Sequence, residues 1–183
     1  MSHTKITPYL TNIKNWQSIV QNKWILFDSD AIIALTKNNT LGVFDDFQEL
    51  GVICCTIHPV YVELLAAKFS NERTIRQAII DSNNFNILPL RAYQLEKSRN
   101  IQIYLERYEC FPSPTDLYLA GMLATFKNNN KILLLTGDLS HFHSSIFNRK
   151  AYLVLQNEKQ CRVLCFLSLD NDSIWDLPNI FYK

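Results

Sequence analysis

Lys131-Ile-Leu-Leu-Leu-Thr-Gly-Asp138 is the stretch from which the fold can be read. Four apolar residues run into Thr136, a glycine and a lone carboxylate. A short apolar run closed by a turn signal predicts a buried, parallel strand. Open parallel sheets bind ligands beyond the carboxyl ends of their strands, and Asp138 stands at that place. Trp24-Ile-Leu-Phe27, followed by Asp28-Ser-Asp30, has the same build. Two strands that each deliver an acid to their carboxyl end define a candidate site, which the remaining chain is then asked to complete.

Outward from these strands the pattern alternates. Ahead of the first lies a helix over about 7–22, with Thr7 as N-cap, Pro8 at the first helical position and Tyr9, Ile13, Trp16 and Val20 at helical spacing. After it come a helix over Ala31 to Leu35, capped by Ser29 or Asp30, and a short one over Phe44 to Leu50. Gly51 to Thr56 is rich in β-branched residues and reads as a strand. Helices over Val60 to Phe69, carrying Glu63, and Asn71 to Ser82 lead to a short extended piece, Phe85 to Leu88. A long helix, Ala92 to Tyr108, precedes the rigid Cys110-Phe-Pro-Ser-Pro114. Ser113 or Thr115 can then cap a helix over Pro114 to Phe126, with Asp116 in its first turn. Asn128 to Asn130 is a loop before the central strand. Beyond Asp138, Ser140 to Lys150 is a polar stretch. Ala151 to Leu155 and Arg162 to Leu169 read as a hairpin or edge pair. The tail, about 170–183, carries Trp175, Phe181 and Tyr182 and is expected to dock. Strands alternating with helices predict an α/β domain with a mainly parallel sheet. No repeat, low-complexity region or linker divides the 183 residues, so one domain is expected.

Composition narrows the class. With 48% hydrophobic and 19% charged residues the chain is globular in character. No apolar run reaches the length of a membrane span. The N-terminus lacks a signal peptide's apolar centre, so a cytoplasmic location is expected. Five cysteines, scattered and without a C-x2-C pair, read as reduced and mostly buried rather than as a zinc site. The net charge of +1 is no signature of a nucleic-acid binder. It conceals a basic balance, however, if some of the 17 acids sit on metal ions.

Asp28 and Asp138 end strands, while Glu63 and Asp116 sit in the first turns of helices. Strand ends and helix starts meet along one edge of a parallel sheet. Four carboxylates gathered there repel one another unless cations are present. Oxygen-only ligation points to Mg²⁺ or Mn²⁺ rather than zinc. Such a site suits in-line attack of an activated water on a phosphodiester. Each acid has a plainer reading beside this one: Asp116 as a helix-start acid, Glu63 as a surface residue, and Asp28, Asp30 and Asp138 as turn or cap formers.

Taken in order, the four segments resemble the PIN domain family of metal-dependent nucleases. They are Trp-Ile-Leu-Phe-Asp28-Ser-Asp, Thr-Ile-His-Pro-Val-Tyr-Val-Glu63, Ser-Pro-Thr-Asp116-Leu-Tyr-Leu-Ala and Leu-Leu-Leu-Thr-Gly-Asp138. The resemblance covers about Trp24 to Leu167. It implies a three-layer α/β/α fold around about five mostly parallel strands. It also implies endoribonuclease activity with Mg²⁺ or Mn²⁺ held by Asp28, Glu63, Asp116 and Asp138. Thr136 matches the family's hydroxyl residue, which hydrogen-bonds within that centre. Asp30 falls where the family often has Asn or Ser, and helix capping is its expected task. The family's bacterial members include toxins of toxin–antitoxin pairs. The implied partners are therefore RNA, an antitoxin protein and a second copy of the chain. The N-terminal helix and aromatic tail exceed the family's usual toxin length.

Other residues have weaker claims. His141 and His143 follow Asp138 and are candidate phosphate contacts, with solvated loop histidines as the plainer reading. Tyr61, Tyr118 and Phe142 could stack on unpaired bases or fill the core. Trp16 and Trp175 read as packing anchors. Two alternatives compete with the nuclease. One is a PIN-like scaffold that binds RNA or protein without cleaving. The other is a haloacid-dehalogenase-like phosphatase with Asp28 as nucleophile and Asp30 as general acid; it leaves Glu63 and Asp116 unexplained.

Overall fold

The computed structural model describes residues 16–37, 42–126, 131–156 and 161–169. The first half of the expected N-terminal helix, the Asn128 to Asn130 loop and the tail with Trp175 lie outside them. Elements follow in chain order: α1 (Trp16–Val20), β1 (Trp24–Phe27), α2 (Ser29–Lys37), α3 (Gly42–Glu49), β2 (Ile53–Ile57), α4 (His58–Leu65) and α5 (Ser70–Ser82). Then come β3 (Asn86–Leu88), α6 (Ala92–Glu106), α7 (Pro114–Phe126), β4 (Ile132–Thr136), β5 (Phe147–Gln156) and β6 (Cys161–Leu169).

The six strands form one mixed sheet in the order β3-β2-β1-β4-β6-β5. The first four are parallel, with β1 between β2 and β4. β6 runs antiparallel to β4 and pairs with β5 as an edge hairpin. The short piece around Phe85 to Leu88 supplies the strand beyond the expected five. Chain order reverses direction at β1, because β2 and β3 build outward on one side and β4 returns to the other. This is a topological switch point, where open α/β sheets leave a crevice at the carboxyl edge. Right-handed crossovers put the helices before and after the reversal on opposite faces. Accordingly α2 packs with α4 and α5, while α6 packs with α7.

The central strands are buried because both of their faces are covered. Ile25, Leu26 and Phe27 of β1 and all of β4 are inaccessible or nearly so, as expected for parallel strands covered on both sides. Trp16, Phe27, Phe44, Phe47, Phe85 and Phe166 form a connected aromatic cluster, mostly in edge-on or tilted contacts. The Trp16 anchor is thus a packing residue, as its sequence context suggested. α7 is pressed onto α6 at Gly121, where a Cβ would stand 2.1 Å from Ser98 Oγ and 2.6 Å from the Gln94 carbonyl. That close approach fixes the axis of the helix whose first turn carries Asp116.

Several boundaries differ from the sequence reading. α4 starts at His58 and stops at Leu65 rather than running from Val60 to Phe69, so Glu63 lies in its second turn and not its first, and Phe69 instead precedes α5 in extended conformation. β5 starts at Phe147, inside the stretch read as polar. Asn148, Arg149 and Lys150 are tolerated because this is an edge strand, with a register irregularity between Arg149 and Ala151. The cysteines are all free; Cys54, Cys55 and Cys165 are buried, Cys110 is half-buried and Cys161 is exposed. Among the described residues no helix is long and apolar enough to cross a membrane.

Candidate functional site

Asp28 and Asp138 come side by side because β1 and β4 are in parallel register, with Phe27 opposite Leu135. The Asp28 amide donates to the Leu135 carbonyl at 3.1 Å, carrying the ladder one residue past the strand. Thr136 ends β4 fully buried. Its hydroxyl donates to Asp28 Oδ2 at 2.8 Å and accepts from the Asp138 amide at 3.1 Å. One side chain therefore fixes both strand-end acids.

The helices bring the other two acids. In Ser113-Pro114-Thr115-Asp116 the Ser113 hydroxyl accepts from the Asp116 amide at 3.2 Å, and Asp116 Oδ2 accepts from the Ser113 amide at 3.2 Å and hydroxyl at 2.6 Å. This is a capping box with proline at the first helical position. The plainer reading of Asp116, a helix-start acid, is thus met by a side chain that also lines the site's cavity. Thr115 donates to Glu63 Oε1 at 2.5 Å and ties α7 to α4. Asp138 Oδ1 accepts from the Ser140 hydroxyl at 2.5 Å and amide at 3.0 Å. Each of the four acids therefore has a hydroxyl holding it: Thr136, Thr115, Ser113 and Ser140.

All four line one open cavity of about 400 Å³, together with Asp30, Ser29, His141 and Arg162. Asp28 is 5% exposed and Asp116 8%. Burial pushes the Asp28 carboxyl up to about 6; the Thr136 hydrogen bond opposes the rise and the nearby Asp116 and Asp30 charges add to it. Asp138 moves the other way, held below the ordinary range by the Ser140 hydroxyl despite partial burial. His141 bridges the rim: its Nδ1 is 2.9 Å from Asp116 Oδ2 and 3.3 Å from Asp138 Oδ2.

The donor chemistry fits a hard divalent cation. It consists of carboxylate oxygens, with a buried carboxylate whose charge is disfavoured until a cation compensates it. Among the described residues no three His, Cys, Asp or Glu side chains form a ready cage. Mg²⁺ generally takes one or two carboxylates and completes its shell with water and substrate oxygens.

Two expected roles are corrected. Asp30 does not cap α2: its Oδ1 accepts from Arg162 of β6, while its Oδ2 is buried without a partner among the described residues. The first helical turn bonds instead from the Ile32 amide to the Asp28 carbonyl. His143 is not in the cavity lining. Its Nδ1 accepts from the Ser145 amide at 3.2 Å, and its ring stacks on Tyr108 at 4.9 Å. Phe142 is core, packed edge-on against Phe147, and Tyr61 and Tyr118 are half-buried against the core. Sequence reasoning missed Arg162, Ser140 and the Thr115 link to Glu63. Only Ser140 carried a local signal, since Asp-x-Ser is a turn pattern in which the carboxylate accepts from the amide two residues on.

No family model matches the chain, and no curated protein does. Solved structures do. A DNA-bound VapBC complex from Salmonella typhimurium is similar at TM-score 0.52 and 18% identity, over 66% of this chain and 90% of that one. VapBC2 from Rickettsia felis, bound to a DNA fragment from its promoter, is similar at TM-score 0.48 and 15% identity, over 61% and 96%. The Salmonella likeness bears on the fold alone: a mixed α/β architecture around a mostly parallel sheet.

Proposed function

We propose that this chain is a Mg²⁺- or Mn²⁺-dependent endoribonuclease of PIN type. The observation that supports it most is the convergence of Asp28, Glu63, Asp116 and Asp138, from four separate elements, on one cavity at the sheet's switch point. A cluster of this kind costs folding energy through burial and mutual repulsion, and a bound cation offsets that cost. The four acids would hold the ion. Bound there, it supplies Lewis-acid polarisation of a phosphodiester and activation of water.

The chain's own part is orientation. Thr136 and Ser29 hold Asp28, the capping box holds Asp116, and Thr115 holds Glu63. Each acid therefore keeps its place before substrate arrives, which lowers reorganisation during reaction. In-line attack by water expels the 3′ oxygen and leaves a 5′-phosphate and a 3′-hydroxyl. The phosphatase reading loses support here, because Asp30 is bound to Arg162 and wedged against Gly137 rather than free to protonate a leaving group. By its likeness to a toxin–antitoxin complex, we extend the proposal to an antitoxin protein as partner.

The test is cleavage of end-labelled single-stranded RNA with Mn²⁺, with Mg²⁺ and with chelator, alongside Asp116→Asn. Cleavage that needs metal and vanishes in the variant is the expected result. A folded, metal-loaded chain that cuts neither RNA nor DNA overturns the general nuclease reading and leaves the non-cleaving scaffold.

A further inference from the structure

We propose that Arg162 is a substrate-binding residue that grips the scissile phosphate of a single-stranded RNA, and that Asp30 is the positioning residue that holds it. The proposal rests on the nuclease reading above and names how its substrate is recognised. The cavity is lined by five carboxylates, counting Asp30, and Arg162 is the only Lys or Arg lining it among the described residues. With one divalent ion held by these acids, five carboxylates still leave the wall net negative toward a polyanion. Arg162 offsets that charge, and a guanidinium matches phosphate geometry with paired N–H groups.

Topology explains how a residue of β6 reaches this edge. β6 is antiparallel to β4, with Thr136 opposite Cys165. The start of β6 is therefore carried past the carboxyl end of β4, alongside Gly137 and Asp138. Residues two apart on a strand share a face. Leu164 comes within 3.2 Å of where a Cβ on Gly137 would lie, and Arg162 is two residues further along the same face.

Asp30 is built in to hold this arginine rather than to serve its helix. Its Oδ1 accepts from the guanidinium. Its Oδ2 is buried, has no hydrogen-bond partner among the described residues, and would be only 2.3 Å from a Cβ on Gly137. A buried, unpartnered carboxylate oxygen is costly, so a carboxylate kept in this position calls for a use. The glycine leaves it room, and the ion pair keeps Arg162 half-exposed at the cavity mouth, its side chain 51% accessible. Only one of the guanidinium nitrogens is engaged by Asp30, so other N–H groups can meet a phosphate oxygen.

The experiment measures binding of a short fluorescent single-stranded RNA to the Asp116→Asn protein across a salt series at fixed Mg²⁺. Cleavage by the parent chain serves as the control. Adding Arg162→Met is expected to weaken binding about 10- to 100-fold and to lower the salt slope by about 0.7, the loss of one phosphate contact on a single strand. Arg162→Lys restores the slope, because it restores the charge. The double change Asp30→Asn with Arg162→Met keeps the deficit. If the double change instead restores affinity and slope, Arg162 merely neutralises Asp30 and the proposal is overturned. RNA cleavage by the parent chain with affinity and slope unmoved by Arg162→Met overturns the grip alone. A parent chain that neither binds nor cuts RNA overturns the nuclease reading and the grip with it.

Discussion

Asp28 follows directly on Phe27 of β1 and is 5% exposed. Asp138 follows β4 after an intervening glycine, with its side chain 43% exposed. The two strands are neighbours in register and share Thr136, yet the carboxyl of Asp28 is pushed up to about 6 while that of Asp138 is held low. A one-residue difference in how the chain leaves the sheet separates them. Without a spacer, Asp28 stays under the helices and loses its hydration. With Gly137 interposed, Asp138 reaches the rim and gains the Ser140 hydroxyl and amide. One acid is costly to ionise and the other cheap, so a bound cation has more to compensate at Asp28.

The largest expected effect tests that difference through cleavage. Asp28→Asn should lower the rate by on the order of 10³-fold, the loss of a buried charge at the reacting centre, and Asp138→Asn by roughly 10- to 100-fold. Rates measured on the same RNA under saturating metal decide it. Equal losses would break the distinction between the deep and the rim carboxylate.

The next effect concerns stability without metal. Asp28 has a folded pKa above its unfolded one, so its destabilising contribution is absent below about 3.8 and fully present above about 6. Between those values the metal-free protein should lose about 3 kcal/mol of stability as pH rises. Asp28→Asn should flatten that slope and raise the metal-free melting temperature at pH 7. Asp138 has the opposite sign: its contribution is present above its unfolded pKa and is lost as pH falls through the lowered folded value. Denaturant unfolding in chelator at pH 4, 5, 6 and 7 reads Asp28, and extending the series below the ordinary carboxylate pKa reads Asp138; a wild-type curve that rises from pH 4 to pH 6 would contradict the assignment at Asp28.

Smaller again is the comparison of the two hydroxyls. Thr136→Val leaves a buried carboxylate oxygen and the Asp138 amide short of a partner, at about 2 kcal/mol. Ser140→Ala removes a hydrogen bond near solvent, where water substitutes, at a few tenths of a kcal/mol. Similar melting shifts for the two variants would show that Thr136 is less committed to Asp28 than their 2.8 Å contact indicates.

Much of this was legible before any coordinates. β1 and α7 fall on the residues read from the sequence, and β4 on its apolar run with Thr136 as the last residue, because burial on both faces demands continuous apolar runs and a capping box announces itself locally. The strand-end acids and Asp116 were found the same way, from position within their elements, whereas Glu63 was expected in a first turn and stands in the second turn of a helix that begins at His58. Other features had no local signature. Asp30 looked like a cap because acids before helices usually are, and its true partner lies 132 residues away in sequence. Glu63 meets Thr115 across 52 residues. Residues 147–150 of β5 looked polar because edge strands need not be apolar.

By itself, then, the sequence determined the elements, the alternation that gives a mostly parallel sheet, and the acids at its carboxyl edge. Those follow from hydrophobic periodicity and turn chemistry, which act over a few residues. Only the tertiary structure decided which hydroxyl holds which acid, that β6 runs antiparallel and so carries Arg162 to the acidic edge, and that Asp28 is buried while Asp138 is not. Those depend on strand order and on the close approach of segments far apart in the chain, and no local pattern encodes either.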